Sequence, residues 1–204
     1  ATIRRQRQMC IRDRSMRASQ EHMEKVRTHL LDSSAQGFRE EGYAGLGING
    51  LAKRAGMTSG AFYGHFASKS AAFHDVIVRG MQDYLDTVIQ YQSEFGAQWA
   101  RHFLDYYLGL AHVQDLAHSC VVPALSVDIA RADRDTQIVY STMFEKVVTQ
   151  VAEGLPGKDR LMASALIALL AGSVMMVRGL TDPDLVTNTL SAARRHADIF
   201  LGGA

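Results

Sequence analysis

Apolar residues recur at steps of three and four along most of this chain of 204 residues. That spacing places them on one face of an α-helix. Met23, Val26, Leu30 and Leu31 begin one such series, and no convincing run alternates between apolar and polar residues as a half-buried strand does. Only three prolines interrupt the pattern, and 47% of the residues are hydrophobic. The sequence therefore predicts an all-α fold with a sizeable core.

Membrane and secretion signals are missing from the sequence pattern. No apolar run reaches the roughly 18 residues that a membrane span needs, and no charged start leads into a signal-like apolar segment. The two cysteines are Cys10 and Cys120. Because Cys10 lies in a segment that we leave out of the fold, no intramolecular disulfide is expected. We expect a soluble, cytoplasmic protein with no membrane partner.

The first fourteen residues, ATIRRQRQMCIRDR, carry five arginines and one aspartate without a helical stripe. The peptide MCIRDR is also what a transposon end used in preparing sequencing libraries can encode. We interpret residues 1–14 as an adapter artefact or a disordered tail; the alternative is a basic arm that follows DNA phosphates. Without this segment the formal net charge changes from +1 to −3, so the pI of about 8.0 is no argument for nucleic-acid binding.

Four helices are predicted in the first part of the remaining chain. Gly42 ends the first of them, and a glycine-rich linker over Tyr43–Gly47 follows. Thr58 and Ser68 have side chains suited to cap the third and fourth helices. Two short helices joined by a three-residue turn between longer helices make a helix-turn-helix, here at about residues 47–66. The four helices cover Gln20–Glu41, Ile48–Ala55, Thr58–Phe66 and a long segment from about Lys69 to Val88.

The stretch GMTSGAFYGHFASKS, residues 56–70, concentrates small residues and aromatic rings. A helix that enters the major groove needs small or hydrogen-bonding side chains at its start, so that its backbone can approach the base edges. Ser59, Gly60 and Ala61 supply them. A helix this short must be held in place by rings packed beneath it, and Phe62 and Phe66 are spaced for that purpose. The alternative is that the rings are plain core.

The outward positions of the same stretch can bind phosphate. Tyr63 and His65 can donate to phosphate oxygens, and Lys69 adds a charge at the start of the next helix. No acidic residue lies between Glu41 and Asp75. The sequence therefore predicts one local positive face. Its basic residues are Lys53, Arg54 and Lys69.

An ordered set of positions over roughly residues 24–84 resembles the N-terminal domain of TetR-type transcriptional repressors, the TetR/AcrR family. The set comprises Arg27-x-x-Leu30-Leu31-Asp32, Phe38 with Gly42-Tyr43, Leu51-Ala52 with Ala55-Gly56, Gly60-Ala61-Phe62-Tyr63, His65-Phe66 and Ser68-Lys69. The resemblance implies a DNA-binding domain over residues 20–84, followed by a larger effector-binding and dimerisation domain over residues 85–204. It also implies a homodimer that a small molecule releases from a palindromic operator.

The resemblance places the contacts to bases and phosphates on the third helix and its flanks. Leu46-Gly47 stands where the family usually has Thr-Ser, and Ser59 stands where a lysine or arginine is frequent. We therefore expect an affinity or an operator preference different from the family norm. With Lys53 of the positive face added, the predicted DNA-binding residues are Lys53, Thr58, Ser59, Gly60, Ala61, Tyr63, His65 and Lys69.

Five helices are predicted in the second domain. Small residues are frequent among the leucines and methionines of Leu161–Val177 and permit close packing against a neighbour. In the resembled family the last two long helices form the dimer interface as a four-helix bundle, so we expect a homodimer through these helices. The alternative is the core helix of a monomer. The five predicted helices are about Ala97–Val113, Cys120–Arg131, Asp133–Gly154, Lys158–Leu180 and Pro183–Leu201.

The effector site is expected between Asp86 and Val151, where aromatic bodies with a few polar tips have the usual composition of a small-molecule cavity. The alternative for each residue is plain core. Cys120 follows His118 at a predicted helix start, where the pKa of a thiol falls. Sensing of an electrophile or oxidant is one hypothesis for this thiol, and a buried hydrophobe is the other. The candidate lining residues are Trp99, Phe103, Tyr106, Tyr107, His118, Cys120 and Phe144.

Other function classes have weaker support. His112, Asp115, His118 and Cys120 are metal-donor types, but their spacing is not that of a closed zinc site, so no metal and no cofactor is predicted. No phosphate-binding loop or catalytic triad emerges, and we do not predict an enzyme. The alternatives to a DNA-binding regulator are a thiol-dependent enzyme and a helical protein-interaction module, both without DNA binding.

Overall fold

The computed structural model describes the backbone of residues 2–202 and the side chains of residues 20–202. Within this part the chain forms α-helices and short 3-10 turns and no strand, which confirms the all-α prediction. The helices are α1 (Thr2–Gly45), α2 (Ile48–Arg54), α3 (Ser59–Tyr63), α4 (Lys69–Phe95), α5 (Trp99–Tyr107), α6 (Leu110–Gln114), α7 (Val121–Ile129), α8 (Arg134–Glu153), α9 (Arg160–Val177) and α10 (Pro183–Phe200).

Helix α1 differs from its predicted bounds at both ends. Its backbone is helical from Thr2 rather than from Gln20, because residues 2–19 contain no glycine or proline that would stop a helix. The interpretation of residues 1–14 remains a prediction; Ala1 and the side chains of residues 2–19 lie outside the described part. Gly42 interrupts the helix as predicted, with φ 73°, a conformation that glycine adopts without steric cost. A last helical turn to Gly45 then replaces the first part of the expected linker, and Leu46 and Gly47 connect it to α2.

Aromatic packing holds the first four helices together. Phe62 of α3 is fully buried and Phe66 is 3% exposed, with their ring centroids 5.5 Å apart. On the other side of this core, Phe38 of α1 meets Phe73 of α4 edge to face at 5.2 Å. Burial of a large aromatic side chain is among the strongest stabilising contributions in a small domain. The position of the short helix α3 therefore depends on rings, as the sequence predicts.

Helix α4 joins the helix-turn-helix to the rest of the molecule. It packs against α1 near its start and against α5, α7 and α8 along its length. Gly80 marks the closest approach, because a Cβ at this position would lie 2.9 Å from the Cβ of Val121 in α7. Only a residue without a side chain permits that approach. Helices α4 and α7 are thus in close contact at this position.

The predicted helix over Ala97–Val113 is wrong, because the structure divides it. A 3-10 turn over Gly96–Gln98 precedes α5, and α6 starts anew at Leu110. At the break, a Cβ on Gly109 would lie 2.8 Å from the carbonyl oxygen of Asp105, so this turn requires glycine. The other four predicted helices correspond to α7, α8, α9 and α10, with ends within three residues of those predicted.

Helix α9 is long and apolar enough to cross a membrane by length and composition alone, with a mean hydropathy of 1.9 over Arg160–Val177. The same composition is found in core helices of soluble proteins. One face of α9 is buried against α7, α8 and α10, including Leu166, Leu170 and Val174. Other apolar residues of α9 are exposed to solvent. They are Leu161 at the start of the helix, at 84% exposure, and Met175 and Met176 near its end.

Candidate nucleic-acid interface

The start of α3 is capped as the sequence predicts. Thr58 has an extended backbone, and its hydroxyl accepts a hydrogen bond of 3.2 Å from the amide of Ala61. This bond satisfies one of the free amides that every helix leaves at its start. The helix itself ends at Tyr63 rather than at Phe66, and a turn with a hydrogen bond from the Phe66 amide to the Phe62 carbonyl, 2.9 Å long, completes the segment.

Small side chains leave the front of α3 open. Gly60 and Ala61 are exposed and Ser59 is half-buried. The hydroxyl of Ser59 donates a hydrogen bond of 2.6 Å to the side-chain oxygen of Asn49 in α2, which ties the starts of the two short helices together. Asn49 is a polar residue at this surface that sequence reasoning missed; its position in the first turn of a predicted helix was the available signal. Bases could approach the backbone of α3 closely here.

Two of the predicted phosphate-binding side chains lie at the same surface. Tyr63 is 58% exposed, and its ring meets Phe62 edge to face at 6.0 Å, so the ring packs on Phe62 and remains largely in solvent. His65 is half-buried. Lys53 is exposed in the last turn of α2. Tyr63 and Lys53 are thus exposed to solvent, and the assignment of these residues to DNA stays a prediction.

Fewer basic residues contribute to the predicted positive face than the sequence indicates. Arg54 forms ion pairs with Glu40 and Glu41, because the end of α1 packs beside α2, so its charge is largely compensated. The ammonium of Lys69 lies 4.2 Å from the centroid of the Tyr43 ring. Burial lowers the pKa of Lys69, and the charge of Asp128 opposes that shift. Lys53 is thus the exposed cation of this set that takes part in none of the ion pairs found among the described residues.

A cavity of about 90 Å³ lies where α1, α4, α5 and the segment between α6 and α7 meet. Five predicted effector-site residues line it: Phe103, Tyr106, Tyr107, His118 and Cys120. The other two lie elsewhere. Trp99 donates from its indole nitrogen to the carbonyl of Gly154 over 2.8 Å, and the ring of Phe144 packs against Tyr140. The assignment of these seven residues to an effector stays a prediction.

Several lining residues of the cavity come from outside the segment that the sequence indicated. Arg39 belongs to α1 of the helix-turn-helix domain, and a single arginine after the buried Phe38 gives no signal in the sequence. Helix α4 contributes polar groups that an apolar pattern does not reveal. The additional lining residues are Arg39, Gly80, Asp83, Tyr84, Thr87, His112, Ser119 and Val121.

The expected lowering of the Cys120 pKa is wrong. Cys120 does occupy the N-cap position of α7, but burial raises the pKa of its thiol, and Tyr107 and the amide of Val122 oppose the shift only in part. The expected imidazolium is not beside it, because His118 is exposed and its Nδ1 lies 3.0 Å from Asp115. A thiol with a raised pKa is mainly protonated near neutral pH and is less reactive.

His112 is the imidazole that contacts Cys120. Its Nδ1 lies 2.7 Å from the carbonyl of Tyr107, and its Nε2 accepts a hydrogen bond of 3.3 Å from the Cys120 amide. This pair of contacts assigns the proton to Nδ1. Burial lowers the pKa of His112, opposed by the bond to the Tyr107 carbonyl. The ring is therefore neutral and structural. Among residues 20–202, no group of three or more His, Cys, Asp or Glu side chains could hold a metal ion.

The family model for bacterial regulatory proteins of the tetR family matches residues 30–76. Among curated proteins, the chain is similar to the HTH-type transcriptional repressor DhaR of Mycobacterium sp. (strain GP1), with 25% identity over 164 residues that cover 75% of this chain and 82% of that protein. It is also similar to the HTH-type transcriptional regulator AcrR of Shigella flexneri, with 29% identity over 79 residues, 39% of this chain and 37% of that protein. These relatives are regulators of transcription, not enzymes.

Solved structures share the fold. The reduced form of E. coli NemR has a TM-score of 0.72 and 20% identity, covering 86% of this chain and 96% of that one. A TetR-family regulator from Agrobacterium tumefaciens has a TM-score of 0.73 and 14% identity, covering 85% and 98%. The matched residues 30–76 contain α2, α3 and the start of α4. Together these likenesses support a TetR-type transcriptional regulator.

Proposed function

We propose that this protein is a ligand-responsive repressor that works as a homodimer in the cytoplasm and leaves a palindromic operator when a small molecule binds its larger domain. The geometry of α3 carries the DNA-binding part of this proposal. Its front is bare at Gly60 and Ala61, while Phe62 and Phe66 are buried beneath it. A short helix with these properties can enter a major groove without changing shape. The printed name of the relative DhaR includes the word repressor, which supports repression as the output.

The roles of the DNA-facing residues follow from their exposure. Ser59, Gly60 and Ala61 stand at the start of α3, the end that approaches base edges in a helix-turn-helix. Tyr63 and Lys53 are exposed and would bind phosphates, which fix the register without reading sequence. Thr58, His65 and Lys69 complete the predicted set. Because Lys69 rests on the ring of Tyr43, it would have to extend away from that ring to bind a phosphate.

Exposed apolar side chains on α9 and α10 support the proposed dimer interface. Large apolar residues that remain in solvent on neighbouring helices mark a protein contact. A second copy related by twofold symmetry would cover these residues with the same residues of its own helices and form a four-helix bundle. The residues are Leu161, at 84% exposure, Met175 at 47%, Met176 at 56%, Leu185 at 48% and Ile199 at 59%.

Helix α4 supplies the proposed route from ligand to DNA. It starts at Lys69 beside the helix-turn-helix, and its residues Gly80, Asp83 and Tyr84 line the cavity. In a dimer bound to DNA the two copies of α3 sit about one turn of DNA apart, ~34 Å. A ligand that favours a tilted α4 changes this separation and favours release. Its effect cannot exceed the difference between its affinities for the two states.

Selection of bound duplexes from a random DNA pool at low ionic strength tests the proposal. We expect a palindrome with half-sites about one turn apart and an affinity that falls steeply with salt. A chain that begins at Ser15 is tested in parallel, since a basic arm over residues 1–14 would raise the affinity and the salt dependence. If neither chain binds any duplex, the proposal fails, and the helical interaction module or the thiol-dependent enzyme takes its place.

A further inference from the structure

Three buried hydrogen-bond donors around the cavity find no partner among the described residues. They are the hydroxyl of Tyr107, beside which the Cys120 thiol is a weak acceptor, the Nε of Arg39 and the Nη1 of Arg178. Tyr107 is 1% exposed and its ring lines the cavity, as Arg39 does. Arg178 lies behind the wall, where its Nε donates to the Val113 carbonyl over 3.0 Å. Each unsatisfied buried donor costs about 1–3 kcal/mol, so three together indicate a missing acceptor.

The charges around the cavity favour an anionic acceptor. Neither Arg39 nor Arg178 forms an ion pair with a described side chain, whereas the acid on the cavity wall, Asp83, is 3.5 Å from Arg79. Asp83 and Asp32 attract Arg39 only from a distance. A guanidinium remains protonated even when partly buried. The cavity therefore has two positive charges beside it that nothing in direct contact neutralises.

The size and the other walls limit the ligand. Tyr84, Phe103 and Val121 are buried and line the cavity with apolar surface. A volume of about 90 Å³ is smaller than the ~150 Å³ cavity that holds a benzene ring. The space suits an acidic head with a few carbon atoms, and it excludes large drug-like effectors unless the walls move.

We propose that the cavity binds a small aliphatic carboxylate, whose oxygens accept hydrogen bonds from the Tyr107 hydroxyl and the Arg39 guanidinium while its short tail contacts Tyr84, Phe103 and Val121. Charge-assisted bonds to a carboxylate are stronger than neutral ones. Arg178 adds positive charge behind the wall. The binding step stands on these contacts alone; its effect on DNA rests on the proposed function.

Arg39 also makes this cavity a junction between the two domains. It lies on α1 three residues before the break at Gly42, and the side-chain nitrogen of Gln36, one turn earlier, lies 3.2 Å from Nε2 of His118. His118 belongs to the segment before α7 that forms the cavity wall. A ligand held by both Arg39 and Tyr107 therefore has its highest affinity for the conformation in which α1 and α5 place both side chains within its reach. That difference in affinity is what a regulatory ligand requires.

Calorimetric titration of the full chain without DNA tests the binding step. The probes are sodium propionate and sodium butyrate, with propionamide as a neutral analogue, at constant ionic strength set with sodium chloride. We expect the carboxylates to bind at millimolar or lower concentration and propionamide at least about tenfold more weakly, since it cannot form the charge-assisted bond. Failure of both carboxylates to bind would overturn the proposal.

Two variants identify the donors. Tyr107→Phe removes a hydroxyl whose nearby acceptor is the weak one of the Cys120 thiol, so it should fold about as well as the parent and bind propionate about tenfold more weakly. Arg39→Gln should weaken binding by at least the same factor. Tyr91→Phe and Arg101→Gln change the same residue types outside the cavity and should bind propionate like the parent chain. Equal binding by all four variants would overturn the assignment.

The effect on DNA is measured separately, with a duplex recovered by selection. Propionate should lower the affinity of the parent chain for this duplex, and about tenfold more propionate should be needed for the same effect on Tyr107→Phe. If propionate binds but leaves the DNA affinity unchanged, transmission through Arg39 is refuted while the site remains. If the ligand-free chain binds no duplex, the proposed function is refuted, and the calorimetric result stands on its own.

Discussion

The hydroxyl of Ser70, in the first turn of α4, donates a hydrogen bond to the carboxylate of Asp133, the N-cap residue of α8. The same carboxylate accepts a bond of 2.8 Å from the amide of Thr136. These two helices thus share one acid at the boundary between the helix-turn-helix and the larger domain. The bond from Ser70, followed by those from Thr136, lowers the pKa of Asp133 to about 2.

A lowered pKa in the folded state makes stability depend on pH. The contribution of Asp133 to the free energy of unfolding is fully present above the ordinary carboxyl pKa of about 3.9. It is lost as the pH falls from there through about 2. We expect Asp133→Asn, which can still cap α8, to lose less stability over this interval than the parent chain. Urea unfolding at a series of pH values measures this loss, and Asp135→Asn, in the first turn of α8, is the control. Parallel profiles of stability against pH for the parent chain and Asp133→Asn would show that Asp133 is not the source of this loss.

Removing the cap of α3 should destabilise the DNA-facing helix. Thr58→Ala loses the acceptor for the Ala61 amide, which costs about 1 kcal/mol. Thr58→Ser keeps an acceptor and should remain close to the parent. Chemical denaturation gives the stability, and affinity for a selected duplex should fall in the same order. An alanine variant as stable as the serine variant would show that the cap contributes nothing.

The phenol of Tyr63 should contribute to binding of every DNA sequence. Tyr63→Ala removes a ring that is 58% exposed and should weaken binding to operator and random duplex by a similar factor, about tenfold, as loss of a bond to a charged phosphate predicts. Tyr63→Phe separates the hydroxyl from the ring. Fluorescence anisotropy with both duplexes measures the change. A loss confined to the operator would assign Tyr63 to base reading instead.

Changes at the front of α3 should alter which operator is preferred. Ser59→Ala breaks the bond to Asn49 and frees the amide side chain of Asn49 to reach a base, while Ala61→Ser adds a donor beside the groove. Each altered base contact is worth about 1–3 kcal/mol of discrimination. Repeated duplex selection with each variant should return a different consensus. Recovery of the parent consensus by both variants would exclude these positions from base reading.

A charge on the exposed face of α9 should separate the proposed dimer. Met176→Glu places a carboxylate where two copies of the helix would meet, and an unpaired buried charge is strongly destabilising. Ile138→Glu changes an equally exposed apolar residue on α8, at 51% against 56% exposure, and should leave the assembly intact. Sedimentation measures the mass. A dimeric Met176→Glu variant would place the interface elsewhere.

Much of the fold was predictable because local rules determine it. The caps at Thr58 and Ser68, the break at Gly42 and the burial of Phe62 and Phe66 all follow from residue type and spacing. The division of the predicted helix at Gly109 was missed, because a glycine inside an apolar pattern is often tolerated. In this chain a carbonyl contact makes it obligatory.

Long-range contacts explain the errors in the sites. Arg54 belongs to the predicted positive face, but it is paired with Glu40 and Glu41, which lie on another helix. Arg39 reaches the cavity from a helix that the sequence assigns to the other domain. The pKa of Cys120 rises because its surroundings are buried, and a helix start in the sequence does not reveal that burial. Each error concerns which distant residue lies beside a given side chain.

Trp99 is the single tryptophan of the chain. It is 3% exposed, it is bonded to the carbonyl of Gly154, and its ring centroid lies 6.2 Å from that of the cavity residue Phe103. The tryptophan fluorescence of the protein therefore comes from one side chain in α5, next to the cavity and not in the DNA-facing helix α3. The emission maximum and lifetime of this indole can follow cavity occupancy without any added label, and they can be read on free protein and on protein bound to an unlabelled duplex.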